Sequence, residues 1–140
     1  MSLYAESSAV LSWLFGESEG DLVRRHLAET DVVCASELTV VECDRAFLRR
    51  SRGGEISAAD GERLAETLAR TTSHWTLVPV SEEIVARARR SFPDEPVRTL
   101  DAIHLSSALL LRSSGSDISV LALDGRVRRN GEALGFDVIP

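Results

Sequence analysis

The sequence predicts an α/β protein: a three-layer α/β/α sandwich around a central, mostly parallel sheet. Three observations predict it. Short β-branched or apolar runs alternate along the chain with longer stretches of helical periodicity, the pattern of strands joined by helical crossovers. The first of these runs, Leu3 to Ala5, is wholly apolar and aromatic, as a strand covered on both faces requires. The 140 residues contain no internal repeat, linker or low-complexity segment, which points to a single domain over 1–140.

Each element follows in order. After the strand Leu3 to Ala5, Ser7-Ser8 offers helix caps for the run Ala9 to Phe15, and Gly16 ends it. Ser18 to Ala28 carries Leu22, Val23 and Leu27 at helical spacing. Asp31 to Ala35 is the second strand by its β-branched content. Ser36 caps a helix through Leu38, Val41 and Leu48 that runs to Arg52-Gly53-Gly54. Ser57 to Thr71 is another helix, with Ser57 as cap and Asp60 in its first turn. Trp75 to Val80 is the third strand, and Ser81 to Arg90 a helix. Phe92 to Pro96 is a loop, because two prolines in five residues cannot continue a helix. Thr99 caps the apolar helix Leu100 to Leu111, and Ser113 to Asp117 is a polar turn. Ile118 to Leu123 is a strand running into Asp124; a basic helix follows to Leu134, stopped by Gly135, and Phe136 to Ile139 closes the sheet.

Composition narrows the function. A content of 44% hydrophobic and 27% charged residues is that of a soluble globular protein. No apolar run approaches the roughly 20 residues needed to span a bilayer, and Met1 to Leu14 lacks a secretory signal, so no membrane association and a cytoplasmic location are expected. A net charge of −6 argues against nucleic-acid binding by overall charge, though not against a local basic rim. All 16 basic residues are arginine. Without lysine, a Walker A loop, a lysine Schiff base and a lysine-dependent receiver pocket are excluded, and phosphate contacts fall to arginine, hydroxyls or backbone amides. Cys34 and Cys43 stand in no metal or redox spacing and read as buried filler.

Four acids stand where this fold gathers ligands, beyond the carboxyl ends of parallel strands: Glu6, Glu42, Asp101 and Asp124. Clustered carboxylates repel, and hard cations with oxygen ligands, Mg²⁺ or Mn²⁺, relieve that repulsion. Each acid also has a simpler explanation. Glu6 reads equally as a solvated strand end, Glu42 as an intrahelical partner of Arg45, Asp101 as a first-turn anion on the helix dipole, and Asp124 as a helix N-cap. Ser8 lies close enough to Glu6 to bond a metal-bound water or a phosphate. His104 shares a helix face with Asp101, in a role orienting that acid or touching substrate. The arginines 45, 49, 50 and 52, with 126, 128 and 129, are either solvated helix faces or a rim for an RNA backbone.

The stretches LYAESSAVLSWLFGE, ASELTVVECDRAFLRR, RTLDAIHLSSAL and LALDGRVRRNGEALGFDVI together resemble the four signature stretches of the PIN-domain family, most closely its VapC-type toxins. The resemblance spans nearly the whole chain, and LDAIHL is its most specific part. It implies a PIN-like α/β/α fold, a Mg²⁺- or Mn²⁺-dependent endoribonuclease, a homodimer, and a cognate VapB-like antitoxin. By this likeness Glu42, Asp101 and Asp124 match the second, third and fourth acids, and Ser8 the N-terminal hydroxyl. Two positions depart from the pattern: Glu6 replaces the usual aspartate, and Ala122 the threonine common two residues before the last acid.

The expectation is therefore a metal-dependent ribonuclease. Glu6, Asp101 and Asp124 hold one ion directly or through water, Glu42 completes the site or recruits a second ion, and Arg45 and Arg126 meet the RNA backbone. The alternative, motivated by Glu6 and Ala122, is a degenerate PIN-like module with weak or no nuclease activity that mainly pairs with an antitoxin. A DNA-directed or ribosomal-RNA-processing nuclease of the same fold is a third option.

Overall fold

Five strands form the middle layer of the computed structural model, which describes residues 1–140: β1 (Ser2–Ala5), β2 (Val32–Ser36), β3 (Thr76–Val78), β4 (Ile118–Leu121) and β5 (Val138–Ile139). Their order is β3-β2-β1-β4-β5, and every pair is parallel. Seven helices connect them: α1 (Ser7–Leu14), α2 (Gly20–Glu29), α3 (Glu37–Arg52), α4 (Ala58–Thr72), α5 (Glu82–Ala88), α6 (Thr99–Ser113) and α7 (Gly125–Ala133). The order reverses at β1, where the chain leaves toward β2 and β3 and returns on the other side as β4 and β5. The crevice beyond the carboxyl ends of β1 and β4 is thus the switch point at which such sheets bind ligands.

Strand periodicity assigns the two faces. Tyr4, Cys34, Ile118 and Val120 point to one side and pack with Ala102, Leu105 and Ala108 of α6, Val127 of α7, Phe92 and Phe136. The residues between them face the other way. Ala5 and Val33 meet Val10 and Leu14 of α1, Cys43 and Phe47 of α3 and Leu68 of α4, while Leu3 and Leu121 meet Ala9 and Val23. Both faces are therefore apolar and covered, as expected for a parallel sheet. Burial of each large apolar side chain contributes about 1.5–3 kcal/mol. Both cysteines are free and buried. No helix is long and apolar enough to cross a membrane.

Ser36, Ser57 and Ser81 cap α3, α4 and α5, and Ser57 forms a full capping box with Asp60. Gly16 and Gly135 stand beyond the ends of α1 and α7 at φ 65° and 85°, a conformation open to glycine. Two expected caps are corrected. The N-cap of α1 is Glu6, whose carboxylate accepts from the Ser8 amide, so Ser7 and Ser8 lie inside the helix. The N-cap of α6 is Arg98, without a side-chain cap bond, and Thr99 is the first helical residue. Other boundaries shift slightly: α2 starts at Gly20 rather than Ser18, and β3 stops at Val78 because Pro79 has no amide for the ladder.

Candidate active site

Glu6 and Asp124 leave the adjacent strands β1 and β4, and Ser8 joins them. The Ser8 hydroxyl donates to Glu6 Oε2, in a contact shorter than an ordinary hydrogen bond. It also accepts from the Leu123 and Asp124 amides, each at 3.0 Å. A hydroxyl has one proton and two acceptor lone pairs, so Ser8 is saturated by the protein. This corrects its expected place beside a water or a phosphate: it stitches the two strand ends together. Glu6 is buried, which pushes its carboxyl up. The charge of His104 and the Ser8 hydrogen bonds oppose that push without cancelling it. Both Ser8 bonds fall on Oε2.

Asp124 is the N-cap of α7 as well as a site acid. Its Oδ1 accepts from the Arg126 amide at 3.0 Å and the Val127 amide at 3.2 Å. Its Oδ2 is 3.0 Å from Arg98 Nη2. The same guanidinium donates from Nε to Asp101 Oδ2 at 2.9 Å. Arg98 thus spans the third and fourth of the four acids, which lie on different helices. Asp101 is buried in the first turn of α6, where the helix dipole favours its charge.

Glu42, one and a half turns into α3, faces His104 rather than Arg45. His104 Nε2 lies 2.5 Å from Glu42 Oε1, and the Ser7 hydroxyl donates to the same oxygen at 2.9 Å. On the other side of the ring, Nδ1 is 2.8 Å from the Tyr4 hydroxyl. Burial pushes the Glu42 carboxyl up. The hydrogen bond and charge of His104 outweigh it, helped by Ser7 and Arg98, and Glu42 ends below the usual range. Burial likewise presses His104 down, but the Glu42 hydrogen bond and the charges of Glu6, Glu42 and Asp101 leave it above the ordinary histidine value. Burial also keeps Tyr4 protonated far above the usual phenol range. When the imidazole is charged it donates from both nitrogens; when it is neutral Tyr4 donates to Nδ1. Nε2 carries a proton toward Glu42 in either state.

The four acids and the two supporting residues therefore meet, with two corrections of role. His104 orients Glu42, not Asp101, and Ser8 is a strand-end tie. Arg45 and Arg126 are exposed; Arg45 lies beside Leu48, Arg49 and Arg52 rather than paired with Glu42, so the predicted intrahelical pair is absent. Sequence reading missed Arg98, Ser7 and Tyr4. Arg98 stands three residues before Asp101, a spacing that brings an N-cap side chain to a first-turn acid. Tyr4 faces inward from β1, and nothing in its immediate neighbours points to His104.

The donor set suits a hard divalent cation, because it consists of carboxylate oxygens. No three of the acidic, histidine or cysteine side chains are already arranged around a cation position. Instead the positive charge between Asp101 and Asp124 is the Arg98 guanidinium. With that group out of the way, each acid keeps an oxygen that its own fold does not use: Oε1 of Glu6, Oε2 of Glu42, Oδ1 and Oδ2 of Asp101, and Oδ2 of Asp124. The donor types, though not their present spacing, are those a hard divalent cation takes.

Comparison with known proteins identifies the family and the fold. The PIN domain family model matches residues 3–133. The chain is 32% identical over 139 residues to Ribonuclease VapC46 of Mycobacterium tuberculosis (strain ATCC 25618 / H37Rv), covering 99% of this chain and 96% of that one. Its fold is similar to that of VapC20 of Mycobacterium tuberculosis, described as a Sarcin-Ricin loop cleaving toxin, with TM-score 0.64, 17% identity and coverage of 96% and 95% of the two chains. It is also similar to a chain of a toxin-antitoxin complex from Klebsiella pneumoniae, with TM-score 0.65, 14% identity and coverage of 100% and 97%. With a family match over nearly its whole length and the acids of the motif gathered at the sheet's switch point, the chain belongs to the PIN-domain family.

Proposed function

We propose that this protein is a Mg²⁺- or Mn²⁺-dependent endoribonuclease and the toxin of a toxin–antitoxin pair. The observation that carries the reading is the placement of four carboxylates at the β1/β4 edge, each with at least one oxygen outside the protein's own backbone and hydroxyl bonds. Glu6, Asp101 and Asp124 would hold the ion and Glu42 would complete the site. When bound, such an ion stabilises charge on the phosphoryl oxygens and lowers the pKa of water beside them. The protein supplies the rest. The Asp124 cap and the Ser8 tie fix two ligands to strand ends, and the Tyr4–His104 pair fixes Glu42. The exposed Arg45 and Arg126 offer phosphate contacts that orient RNA without reading its bases.

The curated ribonuclease relative supports the substrate class, and the similarity to a chain of a toxin–antitoxin complex supports an antitoxin partner of VapB type. A homodimer and a cytoplasmic location go with that reading. Asp101→Asn and Asp124→Asn proteins should fold and lose RNA cleavage. Retained cleavage by both in Mn²⁺ would end the proposal. One observation favours the alternative of a weakened binding module: the longer arm of Glu6 is turned back onto Ser8 and buried.

A further inference from the structure

Arg98 makes a contact that the nuclease reading leaves unexplained. Its guanidinium donates from two nitrogens to carboxylates on two elements, Asp101 at 2.9 Å and Asp124 at 3.0 Å. The loop that delivers it is anchored. The Asp94 amide donates to Asn130 Oδ1 at 2.9 Å, and Asn130 Nδ2 returns a bond to the Asp94 carbonyl at 3.0 Å. Asn130 is fully buried, and Arg129 holds the Asp94 carboxylate at 2.8 Å. Glu95 closes the loop on itself by accepting from the amides of Phe92 and Val97. Residue 98 is therefore presented to the two acids by a braced segment, while its side chain stays 61% exposed and free to leave into water.

The bonded oxygens, Asp101 Oδ2 and Asp124 Oδ2, are among those a divalent ion needs. Two cations cannot share them, because at 3–4 Å like charges repel strongly in a partly buried site. Leaving costs Arg98 little on its own side, since its guanidinium is mostly in water and an arriving ion takes over the charge of the buried Asp101 as the arginine departs. We propose that Arg98 is a built-in counter-ion that occupies the cation edge of Asp101 and Asp124, so that a divalent ion binds only by displacing it and the arginine sets the metal affinity of the site. The inference rests on the reading of these acids as metal ligands. In the metal-free protein, Arg98 keeps two facing carboxylates from driving the β4–α7 junction away from α6.

The test is Mn²⁺ binding followed by the loss of the free-ion electron paramagnetic resonance signal, on wild type, Arg98→Gln, Arg98→Lys and Asp101→Asn, with melting in EDTA and in Mn²⁺ alongside. Arg98→Gln should bind Mn²⁺ about two- to fivefold tighter than wild type, the span of one exposed charge contact converted to affinity. Arg98→Lys, which keeps the charge without the fork, should fall between them. Arg98→Gln should also melt lower than wild type in EDTA and gain more on adding Mn²⁺. Equal or weaker Mn²⁺ binding by Arg98→Gln, with binding lost in Asp101→Asn, overturns the counter-ion role and leaves the metal reading standing. If neither wild type nor Arg98→Gln binds Mn²⁺, or Asp101→Asn binds it like wild type, the metal reading fails and the counter-ion role with it.

Discussion

Replacing His104 with alanine probes the site where its support is most concentrated. The imidazole is 1% exposed and bonded at both ends, to Tyr4 at 2.8 Å and to Glu42 at 2.5 Å. A hydrogen bond to a charged group contributes about 1.5–3 kcal/mol, and a buried hydroxyl left without a partner costs about 1–3 kcal/mol. The void left by the ring adds to this, so the expected loss is about 3–5 kcal/mol, in the range for breaking a buried charged pair. For a domain of this size, each kcal/mol moves Tm by roughly 3 °C, and the melting point should fall by about 10–15 °C. Tyr4→Phe keeps the ring and removes one hydrogen bond, so it should cost only about 1 kcal/mol. Circular dichroism melts of both single variants and the double variant form a thermodynamic cycle. Their coupling should be favourable by at least about 0.5 kcal/mol. A drop of less than about 3 °C for His104→Ala would refute the claim that this network holds Glu42.

The same pair carries a pH signature. His104 is raised in the folded state, so its contribution is complete below the unfolded value of about 6.5 and fades as pH climbs through the folded value. Glu42 is lowered, so its contribution is complete above about 4.3 and fades as pH falls through its folded value. The difference in Tm between wild type and His104→Ala should therefore peak between about pH 4.5 and 6.5 and shrink on both sides; a flat difference from pH 5 to 9 would count against the ion pair. Ser8→Ala removes the acceptor of two amides and the donor to Glu6, and should cost about 2–3 kcal/mol, measured by urea unfolding. Gly20→Ala places a Cβ 2.6 Å from the Ser12 carbonyl oxygen, where α2 crosses α1. It should destabilise by about 1–3 kcal/mol despite the better helix propensity of alanine. Glu6→Asp separates the two functional readings. Clearly increased cleavage and Mn²⁺ affinity would mark the wild-type site as weakened; a decrease would mark Glu6 as a working ligand fitted to its longer arm.

Much of this molecule is legible in the sequence because its strands are continuous apolar runs and its caps are local. Ser36, Ser57 and Ser81 each act within three residues, so their pattern is visible without the fold. The approach of Glu6 to Asp124 follows from topology, since a sheet that reverses at β1 sets the ends of β1 and β4 side by side. The partners of the four acids were not legible. His104 is one turn from Asp101 in the chain, yet its ring reaches Glu42, 62 residues away, because α3 and α6 converge on the same crevice. Ser8 sits beside Glu6 in sequence, but its use depends on amides 115 and 116 residues distant. Arg98 was hidden by Thr99, which looks like the better cap and makes none. In each case the missing information is a long-range contact, which periodicity and capping signals do not encode.

Cleavage of labelled RNA by EDTA-stripped protein, before and after adding Mn²⁺ or Mg²⁺ and with Asp101→Asn in parallel, tests the reading of the four acids most directly. Cleavage that appears only with the added ion, and not in Asp101→Asn, is the expected result. Cleavage by the stripped protein, or by Asp101→Asn at the wild-type rate, would contradict it.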